Sequence, residues 1–173
     1  MARFEPYILS GPDHERVPVA IEEMTRADAE STNQPPLWQT DWTSDFIQNK
    51  EYQKYAVRTP EGELVALGAY EILERALVVH IVYLESSPAS NPTLQSEPRY
   101  HGIGRVLMAF GIKLSIDNDL GGDITFEAKT PELERHYVRD FGALPLPPLG
   151  AGEAPRCLIT GEAAKRIFVS YLA

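Results

Sequence analysis

The run Ala76-Leu77-Val78-Val79-His80-Ile81-Val82-Tyr83-Leu84 constrains the fold more than any other stretch. It is too short to span a membrane. It is also too uniformly apolar for a half-buried strand, whose side chains alternate between core and solvent. A β-branched run of this kind marks a strand covered on both faces, and therefore a central one. Upstream, Tyr55-Ala56-Val57 leads into Thr59-Pro60-Glu61-Gly62, a turn with Pro at its second position and Gly at its fourth. Leu64 to Leu73 follows, then the break Glu74-Arg75. Residues 52–85 therefore read as a three-strand antiparallel meander with Ala76 to Leu84 as its third strand.

Other elements follow from local signals. Residues 1–20 mix short apolar runs with Pro6, Pro12 and Pro18 and read as irregular, with room for one edge strand. Val17 to Met24 suits a first strand. Residues 25–50 read as one or two short helices around Pro35-Pro36, with Thr43 or Ser44 capping a helix that carries Phe46 and Ile47. Residues 86–98, rich in Pro and Ser, form a loop. After it, Ile103, Val106, Leu107, Phe110 and Leu114 share one helical face, and Gly121-Gly122 closes the segment. Asp123 to Lys129 is a short strand. Thr130-Pro131-Glu132 opens a helix with Thr at the cap, Pro at the first helical position and acid in the first turn; it runs to about Asp140 and ends at Gly142. Residues 145–155 are a proline-rich loop, Arg156 to Thr160 a last strand, and Glu162 to Leu172 a terminal amphipathic helix. A meander followed by alternating strands and helices implies a mixed sheet in an α/β fold.

Composition narrows the function. With 173 residues and 43% hydrophobic content, the chain reads as a single globular domain over 1–173. One cysteine, Cys157, excludes an internal disulfide and a multi-cysteine zinc site, and fits a reducing cytoplasm. His14, His80, His101 and His136 show no metal-ligand spacing, so no metal is expected. No apolar stretch reaches membrane-spanning length, and Met1 to Ser10 lacks a signal-peptide pattern. The net charge of −9 opposes a nucleic-acid footprint and suits a cationic small molecule or a basic peptide.

The chemistry concentrates in Arg99-Tyr100-His101-Gly102-Ile103-Gly104-Arg105. Here two glycines open a helix whose first backbone N–H groups lack intrahelical partners and carry the positive end of the dipole. Glycine lets a phosphate approach that backbone closely. The P-loop sequence Gly-Lys-Ser/Thr is absent. A Pro/Ser loop precedes the glycines, so the tight turn of a dinucleotide fold is absent too. The element order and the pattern Arg99-x-x-Gly102-x-Gly104 resemble the GNAT superfamily of acetyl-CoA-dependent N-acyltransferases. The block Glu134 to Ala143, with Tyr137 before Gly142, is similar to that family's late helix. The resemblance covers about residues 55–144.

The resemblance implies a mixed, mostly antiparallel central sheet, flanked by helices and split where the cofactor lies. It implies acetyl-CoA as cosubstrate. The backbone of Leu84 and Glu85 would pair with the pantetheine arm, and the N–H groups of His101, Gly102, Ile103, Gly104 and Arg105 would hold the pyrophosphate, with the side chain of Arg99 or Arg105 adding charge. Tyr137 would be the acid that protonates the leaving thiolate, since a phenol titrates in the range of a thiol. The base stays open between His80, whose imidazole titrates near neutrality, and Glu85 at the exit of the strand. His80 read alone is equally a hydrogen-bonded core histidine. In this family the segment after the first strand lines the acceptor pocket. Trp38 and Trp42 share a face there if helical, either as core packing or as a surface for a cation.

The leading expectation is acetyl transfer from acetyl-CoA to an amine, small-molecule or protein, by direct attack in a ternary complex. A non-catalytic acyl-CoA sensor and an acidic protein-interaction or inhibitor domain are the alternatives. The acceptor's identity and the oligomeric state stay open, a homodimer among the options.

Overall fold

The computed structural model describes residues 2–173. It is a mixed α/β structure. The strands are β1 (Tyr7–Ser10), β2 (Arg16–Pro18), β3 (Ala20–Glu23), β4 (Tyr52–Arg58), β5 (Leu64–Leu73), β6 (Val78–Ser86), β7 (Tyr100–His101), β8 (Ile124–Glu127), β9 (Leu144–Leu146) and β10 (Arg156–Ile159). The helices are α1 (Arg26–Ser31), α2 (Ile103–Asp117), α3 (Pro131–Phe141) and α4 (Gly161–Val169). A seven-stranded sheet runs β3-β4-β5-β6-β8-β10-β9, and a small second sheet runs β2-β1-β7. The β6–β8 pair is parallel, while β3–β4, β8–β10 and β9–β10 are antiparallel.

The chain packs into two compact units. The first holds the residues up to Ala69, Tyr83–Leu107 and Tyr171–Ala173; the second holds Tyr70–Val82 and Met108–Ser170. In the first unit, α1 is started by a capping box. Thr25 accepts from the Asp28 N–H at 3.1 Å, and the Asp28 carboxylate accepts from the Thr25 N–H at 2.9 Å. Buried Asp28 also takes the guanidinium of Arg58, a β4 residue. Together with the β3–β4 pairing, this ties the short helix to the sheet. Trp42, Ile47, Val57, Val65 and Leu67 form the unit's core.

In the second unit, the register pairs Val79 with Ile124, His80 with Thr125 and Ile81 with Phe126. Side chains alternate along a strand, so Ile81, Ile124 and Phe126 share one face while His80 and Thr125 share the other. Helix α2 lies close on the apolar face. A Cβ at Gly111 would sit 3.2 Å from the Tyr70 ring and 3.5 Å from Ile81. Glycine inside a helix costs about 1 kcal/mol relative to alanine, a cost this close approach offsets. Helix α3 covers the same face through Tyr137, whose ring meets Phe126 edge-on at 4.8 Å.

The meander forms as expected, with Gly62 at φ +86° donating to the Thr59 carbonyl at 2.9 Å. Its third strand starts later than the apolar run, because Leu77 turns left-handed at φ +60°, and it continues to Ser86. The expected strand over Val17 to Met24 is two strands, β2 and β3, in different sheets. The helix expected to carry Phe46 and Ile47 is absent, and 41–50 is a series of turns. Neither Thr43 nor Ser44 is therefore a cap, and Trp38 and Trp42 do not share a helical face. Strand β9 overlaps the start of the expected proline loop. As an edge strand it bonds on one side only, so Pro145 is tolerated.

Helix α3 begins and ends where its signals stand. Thr130 accepts from the Leu133 N–H at 3.1 Å, and Gly142, at φ +69°, closes the helix. Replacing Thr130 by Ala is expected to cost about 1 kcal/mol in urea unfolding. An unchanged midpoint would show that the cap is dispensable.

Candidate functional site

The glycine loop lies in the first unit. Gly102 adopts φ +79°, which favours glycine, and its carbonyl accepts the first helical bond, from Val106 at 3.1 Å. The N–H groups of 103–105 precede that bond and stand at the positive end of α2. Gly104 differs, because its backbone is helical and a Cβ there would meet nothing within 4 Å. Neither backbone strain nor protein packing accounts for a glycine that weakens the helix start. The open space beside Gly104 and the first N–H groups of α2 leave room for a group to approach that backbone.

The flanking arginines are engaged within the protein. Arg99 pairs with Glu63 at 3.2 Å and lies over the Tyr100 ring at 5.4 Å, with its side chain largely exposed. Arg105 lies over the Tyr171 ring at 5.7 Å. Residue His101 stacks on His14, with 5.0 Å between ring centroids and an interplanar angle of 11°.

Glu85 also lies in the first unit, and it is buried. Its carboxylate accepts the Gln39 N–H at 2.7 Å and the Trp42 indole N–H at 2.9 Å. Both carboxylate oxygens therefore hold the 39–42 segment to β6. Tyr83 joins the same cluster, its hydroxyl 2.8 Å from Thr40 Oγ1 and its ring edge-on to Trp42. Trp42 is fully buried and thus packs in the core. Neighbouring Leu84 is half-buried at the end of β6.

The second unit holds His80 and Tyr137. The His80 Nδ1 lies 2.9 Å from the Thr125 hydroxyl. Burial lowers the His80 pKa, Glu127 and Glu71 oppose that shift, and Arg156 adds to it. Burial raises the Tyr137 pKa, with a smaller push from Cys157, so its phenol stays protonated well past neutral pH. The face alternation puts His80 and Tyr137 on opposite faces of the β6–β8 pair. His136 turns to Asp140 instead, at 2.6 Å.

An open cleft of about 910 Å3 in the first unit is lined by residues including Arg26, Glu30, Asn33, Gln48 and Lys54. None of the candidate site residues lines it. Among the described residues, no group of three or more His, Cys, Asp or Glu side chains is placed to hold a metal. No described helix is long and apolar enough to cross a membrane.

Sequence reasoning named the loop, His80, Glu85 and Tyr137 as candidates and did not name their partners Thr125, Gln39 and the N-terminal residues beside the loop. Thr125 could have been found by pairing the two strands in parallel register. Gln39 and His14 carry no local signal.

The sequence matches no protein-family model, and no curated protein matches it in sequence. Solved structures do match in fold. A spermidine N-acetyltransferase from Vibrio cholerae, in a variant form, aligns with a TM-score of 0.55 at 13% identity, over 82% of this chain and 92% of that one. A dodecameric form of the same enzyme aligns at 0.55 and 13%, over 82% and 93%. A structure from Corynebacterium glutamicum described as histone acetyltransferase HPA2 and related acetyltransferase aligns at 0.51 and 16%, over 82% and 96%.

Two outcomes follow from this geometry. Exchanging Glu85 for Gln replaces one accepting oxygen with an NH2 donor, which then faces an N–H it cannot accept from. The Glu85→Gln variant is expected to lose about 1–3 kcal/mol of stability in urea unfolding followed by tryptophan fluorescence. A wild-type midpoint would deny the anchoring role. His80, with its pKa lowered by folding, binds a proton more tightly in the unfolded chain. Its contribution is therefore intact above the unfolded pKa of about 6.5 and is lost as pH falls toward the folded value. The melting temperature of the wild type should drop faster over that acid window than that of His80→Gln, and parallel curves would contradict the burial.

Proposed function

With the GNAT N-acyltransferase fold as the premise, we propose that the chain transfers an acetyl group from acetyl-CoA to an amine acceptor in a ternary complex. The observation that carries this reading is Gly104, a helical glycine whose missing side chain leaves open space beside the first N–H groups of α2. The loop His101 to Arg105 binds the pyrophosphate through those groups. The Arg99 side chain supplies diffuse positive charge nearby, and Arg105 is held by Tyr171. The Leu84 and Glu85 backbone, at the end of β6, offers hydrogen bonds to the extended pantetheine arm.

The cosubstrate supplies an activated acetyl thioester. The chain's own residues handle the protons. Tyr137 donates its phenolic proton to the leaving sulfur, and its raised pKa keeps that proton in place until the sulfur needs it. The amine's proton goes to a base that stays open between His80 and Glu85. His80 lies on the face of the β6–β8 pair opposite Tyr137, and with its Nδ1 beside Thr125 it would exchange through Nε2. Glu85 is the weaker choice, because both of its oxygens already accept N–H bonds. The acceptor is a cationic amine, small-molecule or protein, and the net charge of −9 favours its approach. Buried Cys157, a lone free thiol, suits the cytoplasm as the setting.

Calorimetric titration of coenzyme A into a folded Gly104→Val variant is expected to show at least about tenfold weaker binding. Unchanged affinity would remove the loop from the site. Turnover against an amine panel should fall on the order of 10²-fold in Tyr137→Phe while coenzyme A affinity holds. A wild-type rate in that variant would make Tyr137 structural. For His80, the acid limb of kcat/KM is expected to lie below the usual imidazole value of about 6.5, to stay put across acceptors of different basicity, and to vanish in His80→Gln. A limb that survives in that variant would assign the base elsewhere.

A further inference from the structure

We infer that the N-terminal hairpin β1–β2 is part of the cofactor site, with Gly11 and His14 positioning the glycine loop. The inference rests on the reading of that loop as the coenzyme A pyrophosphate site. The hairpin lies outside residues 55–144, which carry the sequence resemblance, and nothing in its local sequence marks it as functional.

Four contacts within the first unit carry the argument. Strand β1 pairs with β7, Leu9 opposite His101 and Ser10 opposite Tyr100, so the loop's first residues form a strand only because β1 is beside them. The Gly11 N–H donates to the Arg99 carbonyl at 2.9 Å. A Cβ on Gly11 would lie 2.8 Å from the Pro98 carbonyl oxygen and 3.0 Å from His101 Nε2, so the hairpin turn approaches as closely as a glycine permits. The His14 ring lies flat on the His101 ring at 5.0 Å. His14 does this from a left-handed backbone, φ +55°, which a non-glycine residue adopts at a cost.

The other side of the loop is held as well. Arg99 donates its N–H to the Ala89 carbonyl at 3.0 Å, and the Tyr100 N–H reaches Ser90 Oγ at 3.1 Å. The loop is therefore clamped between the hairpin and the 89–90 turn before α2 begins. A two-residue strand has little stability of its own, and two or three such contacts decide whether its backbone is ordered. A preset loop binds a phosphate without first losing conformational entropy, so loosening the hairpin weakens binding with no ligand contact removed.

The test uses the full chain and coenzyme A. Calorimetry should give weaker binding for Gly11→Ala and for His14→Ala. The expected loss is about threefold to tenfold for His14→Ala, the range an aromatic pair contributes, with recovery in His14→Phe, which keeps a ring to stack. Hydrogen exchange should show the amides of β1 and of Gly11 slowing when coenzyme A is added to the wild type. If Gly11→Ala fails to fold, the His14 pair and the exchange data decide. Wild-type affinity in His14→Ala with no change in β1 exchange would overturn the inference and leave the loop reading standing. No coenzyme A binding by the wild type would instead overturn the loop reading itself.

Discussion

The parallel pairing of β6 with β8 is the constraint on which the rest of the structure depends. Antiparallel strands can be joined by a tight turn, but parallel ones need a crossover long enough to bring the chain back to the starting end. Here the crossover contains the 87–99 loop, β7 and α2. It puts the glycines between the carboxyl end of β6 and the amino end of a helix, the place where α/β folds gather anions. Gly111 then lets α2 lie against the apolar face of that pair. Register follows from the same pairing. A slip of one residue would turn His80 and Thr125 toward the helices and Ile81 and Phe126 away from them.

Polar groups buried on β6 divide into two kinds of work. Glu85 spends both carboxylate oxygens on N–H donors of the 39–42 segment, and so replaces the helix that segment does not form. His80 meets the Thr125 hydroxyl through Nδ1 alone, so that hydrogen bond leaves Nε2 unused. Two residues that look alike as candidate bases are thus separated by how many of their hydrogen-bonding positions the fold has used. Both arginines of the loop lie over aromatic rings, and Arg99 also pairs with the Glu63 carboxylate.

Helix α3 was legible because all its signals are local. Thr130, Pro131 and Gly142 act within one turn of themselves, and each does in the fold what its chemistry dictates. The meander was legible for the same reason, through Gly62 and through strand-forming runs long enough to show. The segment 33–50 was not. Its apolar residues Trp42, Phe46 and Ile47 suggest a helix by spacing, yet its order comes from Glu85, some forty residues away.

The amino-acid sequence by itself determined the central strand, the glycine-opened helix, the capped helix that carries Tyr137, and the residue types from which an acyl-transfer site could be built. These depend on period, caps and turns, which act over a few residues. Only the tertiary structure decided that Glu85 is an anchor, that His80 faces Thr125, that Tyr137 and His80 lie on opposite faces of one strand pair, and that Leu9, Ser10 and His14 reach the glycine loop. Those facts depend on strand register and on side chains meeting across long sequence separations, and no local pattern encodes which distant group a buried polar atom will find.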